Sequence, residues 1–119
     1  MTWKLNIRRE SVRPDLTVLQ VDGRLGSASS GALIEAIVRA IEAGDRQLVV
    51  DLANVDYISS AGLLALDAAA GRTHVAGGTL ILCGLTEPVR VALDLSGLLP
   101  HFSVETTRAV AIAKLSAGA

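Results

Sequence analysis

A single cysteine, Cys83, rules out an internal disulfide, and its place in an apolar run marks it as a buried, inert thiol suited to a reducing compartment. Aromatic side chains are almost missing: Trp3, Tyr57 and Phe102 are the whole set. Half of the residues are hydrophobic, so the core must be built from Val, Ile, Leu and Ala, the material of layered helices and strands. Neither charge is in excess, because 11 basic residues are scattered among 12 acidic ones. That leaves no basic stripe for nucleic acid or for an anionic membrane surface. No apolar run is long enough to insert in a bilayer, and an N-terminus carrying Lys4, Arg8, Arg9 and Glu10 does not read as a signal peptide. The expectation is a soluble, cytoplasmic protein without nucleic acid or membrane partners.

Motifs of catalysis and cofactor binding are also missing. There is no GxxxxGK[ST] or GxGxxG stretch, so no nucleotide cofactor is expected, and Gly23, Gly26, Gly77 and Gly78 are accounted for by the ends of strands and helices. His74 and His101 lack the spacing of metal ligands, and no metal is expected. Asp51, Asp56 and Asp67 lie near the middle of the chain and are second-rank candidates for general bases, against a plainer reading as solvated or capping acids. Ser60-Ala61-Gly62 loosely resembles a nucleophile elbow, but Ile58 stands where GxSxG needs glycine, and a branched residue resists the strained turn that exposes an attacking serine. The chain therefore reads as a non-enzyme.

What is present is an ordered alternation of strand and helix patterns in a length that suits one domain, 1–119. Trp3 to Arg9 alternates apolar and polar residues like a strand with one buried face; Arg13-Pro14-Asp15 turns the chain, and Leu16 to Val21 returns antiparallel until Gly23 and Gly26 end it. Leu33, Ile34, Ile37, Val38 and Ile41 form one stripe of a helix capped by Ser29 or Ser30, with Glu35, Arg39 and Glu42 outward and Gly44 as its stop. Leu48 to Leu52, a helix after Ser60, and Thr79 to Cys83 then complete two parallel βαβ crossovers. Thr86-Glu87-Pro88 starts a third helix that Gly97 stops. Phe102 to Val104 reads as a short edge strand, Thr106 to Leu115 as a helix capped by Thr106 or Thr107, and Ser116 to Ala119 as a loose tail.

The stretch Gln47 to Leu66, QLVVDLANVDYISSAGLLAL, organises this layout as strand, loop and helix. Its junction falls at Ser59-Ser60, and Ser60 is the expected N-cap. A hydroxyl there lies beside unpaired amides and the positive end of a helix dipole, where an added phosphate is tolerated. Helix capping alone is the plainer account of both serines.

At VVDLANVDYISSAGLLAL the chain resembles the STAS family, in particular bacterial anti-sigma factor antagonists. The likeness extends through VDGRL, GGTLILCGL and SGLLPHFSVETTRAV and so covers nearly the whole length. It implies an α/β fold, a STAS-like mixed β-sheet of four to five strands with about four helices. It also implies that Ser60, two residues before Gly62, accepts phosphate from a partner that is both anti-sigma factor and serine kinase, while a serine phosphatase resets the cycle. Where phosphorylated relatives place acids, this chain has Ser59, Arg24 and Gly26. The implied partner-binding set is Ser59, Ser60, Ala61, Gly62 and Leu63 with Gly26 and Ser27 of the neighbouring loop; Leu98 and Leu99 would extend it. The alternative is a STAS subunit that is not phosphorylated and serves a lipid-transport or signalling-scaffold complex.

Overall fold

The computed structural model describes residues 5–117. Trp3 and Lys4, expected at the start of the first strand, lie outside the described residues, as do Gly118 and Ala119 of the expected tail.

Short apolar runs of β-branched residues and leucine form five strands: β1 (Asn6–Arg13), β2 (Leu16–Leu25), β3 (Gln47–Ile58), β4 (Thr79–Cys83) and β5 (Ser103–Glu105). They lie in one sheet in chain order, β1 antiparallel to β2 and all later neighbours parallel. Several strands outrun the expected bounds: β1 continues past Arg9 to Arg13, and β5 ends one residue later, at Glu105. β2 continues through Gly23 to Leu25, and β3 continues from Leu52 to Ile58, because the polar ends of the two strands pair with each other, Asp22 opposite Asn54 and Arg24 opposite Tyr57.

The helices are α1 (Ser30–Glu42), α2 (Ser60–Val75), α3 (Glu87–Leu95) and α4 (Arg108–Ala117), with a single 3-10 turn over Leu99–His101. Alternation along each strand divides the core between two faces. Leu19, Val21, Leu48, Val50, Leu52, Leu80 and Leu82 pack with Leu33 and Ile37 of α1, Leu66 and Ala69 of α2, and Val89 and Leu93 of α3. Leu16, Val18, Val49, Ile81 and Cys83 point the other way, onto Ala111 and Leu115 of α4. This is the mixed α/β sheet with four helices that the sequence implies.

That second face has a polar margin at Arg108. Its Nε donates to Asp51 Oδ2 at 3.1 Å, one Nη to Glu10 Oε2 at 2.6 Å, and the other to Gln20 Oε1. Asp51 is thus no solvated loop acid: it is buried, and its other oxygen accepts the Ala53 amide at 3.0 Å. Burial alone would favour the neutral arginine, but the hydrogen bonds that the guanidinium donates to Glu10 and Asp51 outweigh it and raise the Arg108 pKa above its ordinary value.

Three connections, β2 to α1, β3 to α2 and β4 to α3, meet at one end of the sheet because parallel strands all deliver their helices there.

Candidate functional site

The meeting point of the first two of these connections is set by backbone contact. The Ser59 amide donates to the Leu25 carbonyl at 2.9 Å, so the end of β2 is tied directly to the start of α2. Gly62 makes that approach possible. It is buried, and a Cβ there would stand 2.4 Å from the Leu25 oxygen and 2.8 Å from the Ile58 side chain. Of all residues, only glycine avoids both overlaps.

The N-cap of α2 is Ser59, which corrects the expectation for Ser60. Ser59 is extended, with φ −98° and ψ 176°, and its Oγ accepts the Gly62 amide at 3.3 Å. Ser60 is the first helical residue. It is exposed, and its hydroxyl makes no hydrogen bond among the described residues. The amides of Ser60 and Ala61 open the helix and so have no intrahelical acceptor. Helix capping therefore accounts for Ser59 and leaves the Ser60 hydroxyl without a structural task.

The facing loop is braced from within. Ser29 occupies the N-cap position of α1 but makes no capping bond; it is buried, its Oγ donating to the Arg24 carbonyl at 2.7 Å and accepting the Gly26 amide at 3.0 Å. The Ser29 and Ser30 amides both donate to the Gly26 carbonyl, at 3.1 and 2.8 Å. Gly26 faces Ser59, since a Cβ on it would touch Ser59 Oγ at 3.6 Å. Thr86 holds the third connection in a similar way: its hydroxyl donates to the Val55 carbonyl at 2.6 Å instead of capping α3.

The expected contact residues therefore divide by exposure. Ser60 and Ser27 are exposed; Ser59, Ala61 and Gly26 are half-buried at the rim; Gly62 is buried, and Leu63 packs against the core. Leu98 and Leu99 also pack against the core from the side. Two exposed apolar side chains stand near Ser60. Leu64 is 66% exposed one helical turn further along α2, and Tyr57 is 40% exposed two residues before Ser59. The Arg24 guanidinium lies over the Tyr57 ring, 4.0 Å from its centre, a pairing that follows from the β2–β3 register. Arg24, Tyr57 and the Gly26–Ser29 loop enclose about 240 Å³, below the size of ordinary small-molecule sites, so this end of the sheet suits a macromolecular contact better than a ligand pocket.

Little at the rim supports chemistry by the protein itself. His74 lies 14 residues along α2 from Ser60, about 21 Å away at 1.5 Å per residue, and cannot act as its base. His101 lies beside Asp67, Nδ1 to Oδ1 3.7 Å. Asp56 is exposed, and Asp22, next to Asn54 on the adjoining strand, is held below its usual pKa by the Asn54 amide at 2.7 Å. Among the described residues no three His, Cys, Asp or Glu side chains converge as a metal site, and no helix is long and apolar enough to cross a membrane.

Known proteins share both the sequence pattern and the fold. The anti-sigma factor antagonist by name BtrV, of Bordetella bronchiseptica, is 36% identical over 106 residues, which cover 82% of this chain and 91% of BtrV. Among solved structures, the antagonist SpoIIAA in its unphosphorylated form superposes with a TM-score of 0.80 at 19% identity, covering 94% of this chain and 97% of SpoIIAA. An anti-sigma factor antagonist from Mycobacterium paratuberculosis gives 0.81 at 23% identity, with 93% of each chain covered. At these identities the two structures speak for the fold alone. The STAS domain model matches residues 9–111, a span that takes in the sheet from the middle of β1 onward, the Leu25–Ser59 junction and the start of α4; the chain belongs to the STAS domain family.

Proposed function

We propose that residues 1–119 form a single STAS domain that acts in the cytoplasm as an anti-sigma factor antagonist, a partner switch controlled by phosphate on Ser60. The observation that carries this reading is the division of labour between adjacent serines: Ser59 is engaged as a cap, while Ser60 presents an exposed, uncommitted hydroxyl at the same helix start. The likeness to BtrV supports the antagonist role. In the unphosphorylated state the rim formed by Ser59, Ser60, Ala61, Gly26 and Ser27, with Leu63 and Gly62 behind it, receives an anti-sigma factor that is also a serine kinase. Phosphate transferred to Ser60 adds about −1.5 to −2 charges and a tightly hydrated group at the centre of that contact, which expels the partner, and a serine phosphatase restores the binding form. Ser60 is a substrate of the kinase, so the protein is not itself an enzyme, and it needs no cofactor.

The test is recovery of the protein from its native cells with bound partners, followed by phosphosite mapping and binding measurements on Ser60→Ala and Ser60→Asp. Phosphate on Ser60, a co-purifying ATP-binding partner, and binding kept by the alanine variant but lost by the aspartate variant are expected. An unmodified serine with transporter subunits bound, or equal binding by the two variants, would overturn the switch.

A further inference from the structure

The two cores differ in how they are closed. The first joins the sheet to α1, α2 and α3; the second joins it to α4 alone. α4 contributes two buried side chains to that second core, Ala111 and Leu115, with the half-buried Ile112 beside them, yet Leu16, Val18, Val49, Ile81 and Cys83 beneath it are no more than 2% exposed. The helix is fastened by polar contacts spread along its length. Arg108, its first residue, reaches Asp51 of β3, Glu10 of β1 and Gln20 of β2. Near the other end Lys114 Nζ donates to Glu105 Oε2 of β5 at 2.9 Å, and Arg13 of β1 donates to Ser116 Oγ at 2.8 Å. A cation at a helix N-terminus runs against the helix dipole, and the first turn of α4 carries no acid to offset it. Arg108 therefore serves the contact with the sheet, not the helix.

We propose that α4 is a latched cover: it lifts from the sheet as one unit while the first core stays folded, and Arg108 is the latch. A segment that buries few apolar side chains, and whose polar contacts lie partly in solvent, opens at a lower free energy than the whole domain. Both conditions meet in α4, which is joined to β5 through the exposed Thr106 and Thr107. The side chains of Arg108 and Lys114 are 31% and 61% exposed, so their ion pairs are open to screening and the latch responds to salt. Opening uncovers the apolar rear of β2, β3 and β4. α2, and with it Ser60, lies on the opposite face of the sheet, so the latch works independently of the function proposed for that serine.

Cys83 lies under the cover and reports its opening. Labelling of its thiol by an aromatic disulfide reagent is followed in the full chain at urea concentrations below the unfolding transition. Slow labelling is expected, with a urea dependence about half that of global unfolding or less, since the smaller opening exposes less surface. Arg108→Ala should quicken it about tenfold or more. Salt at about 0.5 M should quicken the wild type severalfold and that variant much less. Ile37→Val, in the first core, is the control. It lowers the urea midpoint and would raise labelling about fivefold if the thiol were reached only through global unfolding, but it is expected to leave the rate unchanged. Labelling that follows global unfolding in its urea dependence, or in its response to Ile37→Val, overturns the proposal, and so does a rate indifferent to Arg108→Ala or to salt.

Discussion

Gly62 sits so close to Leu25 that a single added methyl group would stand 2.4 Å from the Leu25 carbonyl oxygen. The start of α2 is therefore seated on the end of β2 by the absence of a side chain.

Gly62→Ala should for this reason destabilise the protein, although alanine is the better helix former by about 1 kcal/mol. The overlap with backbone and with Ile58 has no flexible neighbour to absorb it, so a net loss of about 1–3 kcal/mol is expected in urea unfolding. Stability at or above wild type would show that α2 can lift off Leu25 without penalty.

The two serines should separate in the same assay. Ser59→Ala removes the oxygen that accepts the Gly62 amide and should cost about 1 kcal/mol, while Ser60→Ala should leave the urea midpoint nearly unmoved. Equal losses would contradict the assignment of the cap to Ser59.

Arg108→Ala leaves Asp51 buried without its cation and undoes the contacts to Glu10 and Gln20. Because the guanidinium is itself partly exposed, a loss of about 2–3 kcal/mol is expected, somewhat under that of a fully buried pair. Arg108→Lys should recover only part of it, since an ammonium cannot reach three acceptors in the planar fork. Full recovery by lysine in chemical denaturation would argue that charge alone matters here.

Cys83 gives the pH prediction. Burial first, and the charge of Asp51 second, push its thiol up from 9.0 to about 12 against the opposing pull of Arg108. The folded thiol thus keeps a proton that the unfolded chain releases above pH 9, so its contribution to stability is whole below that pH and is lost as pH rises toward 12. Replacing Cys83 with alanine should flatten the alkaline fall in stability. In the native protein the thiol should resist an aromatic disulfide reagent at mildly alkaline pH and react at once in denaturant; prompt reaction in the native state would show that the site is open.

The sequence pattern carried the order and type of the elements because the apolar period changes cleanly from two to 3.6 along the chain. Thr79–Cys83 emerges with the bounds its apolar run suggests, whereas β2 and β3 run on into Asp22, Gly23, Arg24 and Asn54, residues that do not read as strand and are held extended by pairing between the two strands, with Asp56 at a shift of the register. Ser59 and Ser60 are equally good caps by chemistry, and only the backbone contact at Leu25 decides between them. The environment of Asp51 could not be read at all, since its partner Arg108 lies 57 positions away. Asp45 is a similar case: buried, it accepts from Arg9 at 2.6 Å and from the Thr17 hydroxyl at 2.9 Å across the sheet. Pairings of that kind come from topology, to which a single sequence gives only indirect access.

The hydrogen bond from the Ser59 amide to the Leu25 carbonyl, with the internal bracing of the Gly26–Ser29 loop, makes two connections from separate crossovers behave as one rigid piece. A molecule landing there meets a surface already arranged, so little conformational entropy is lost on docking and a small contact can still be selective.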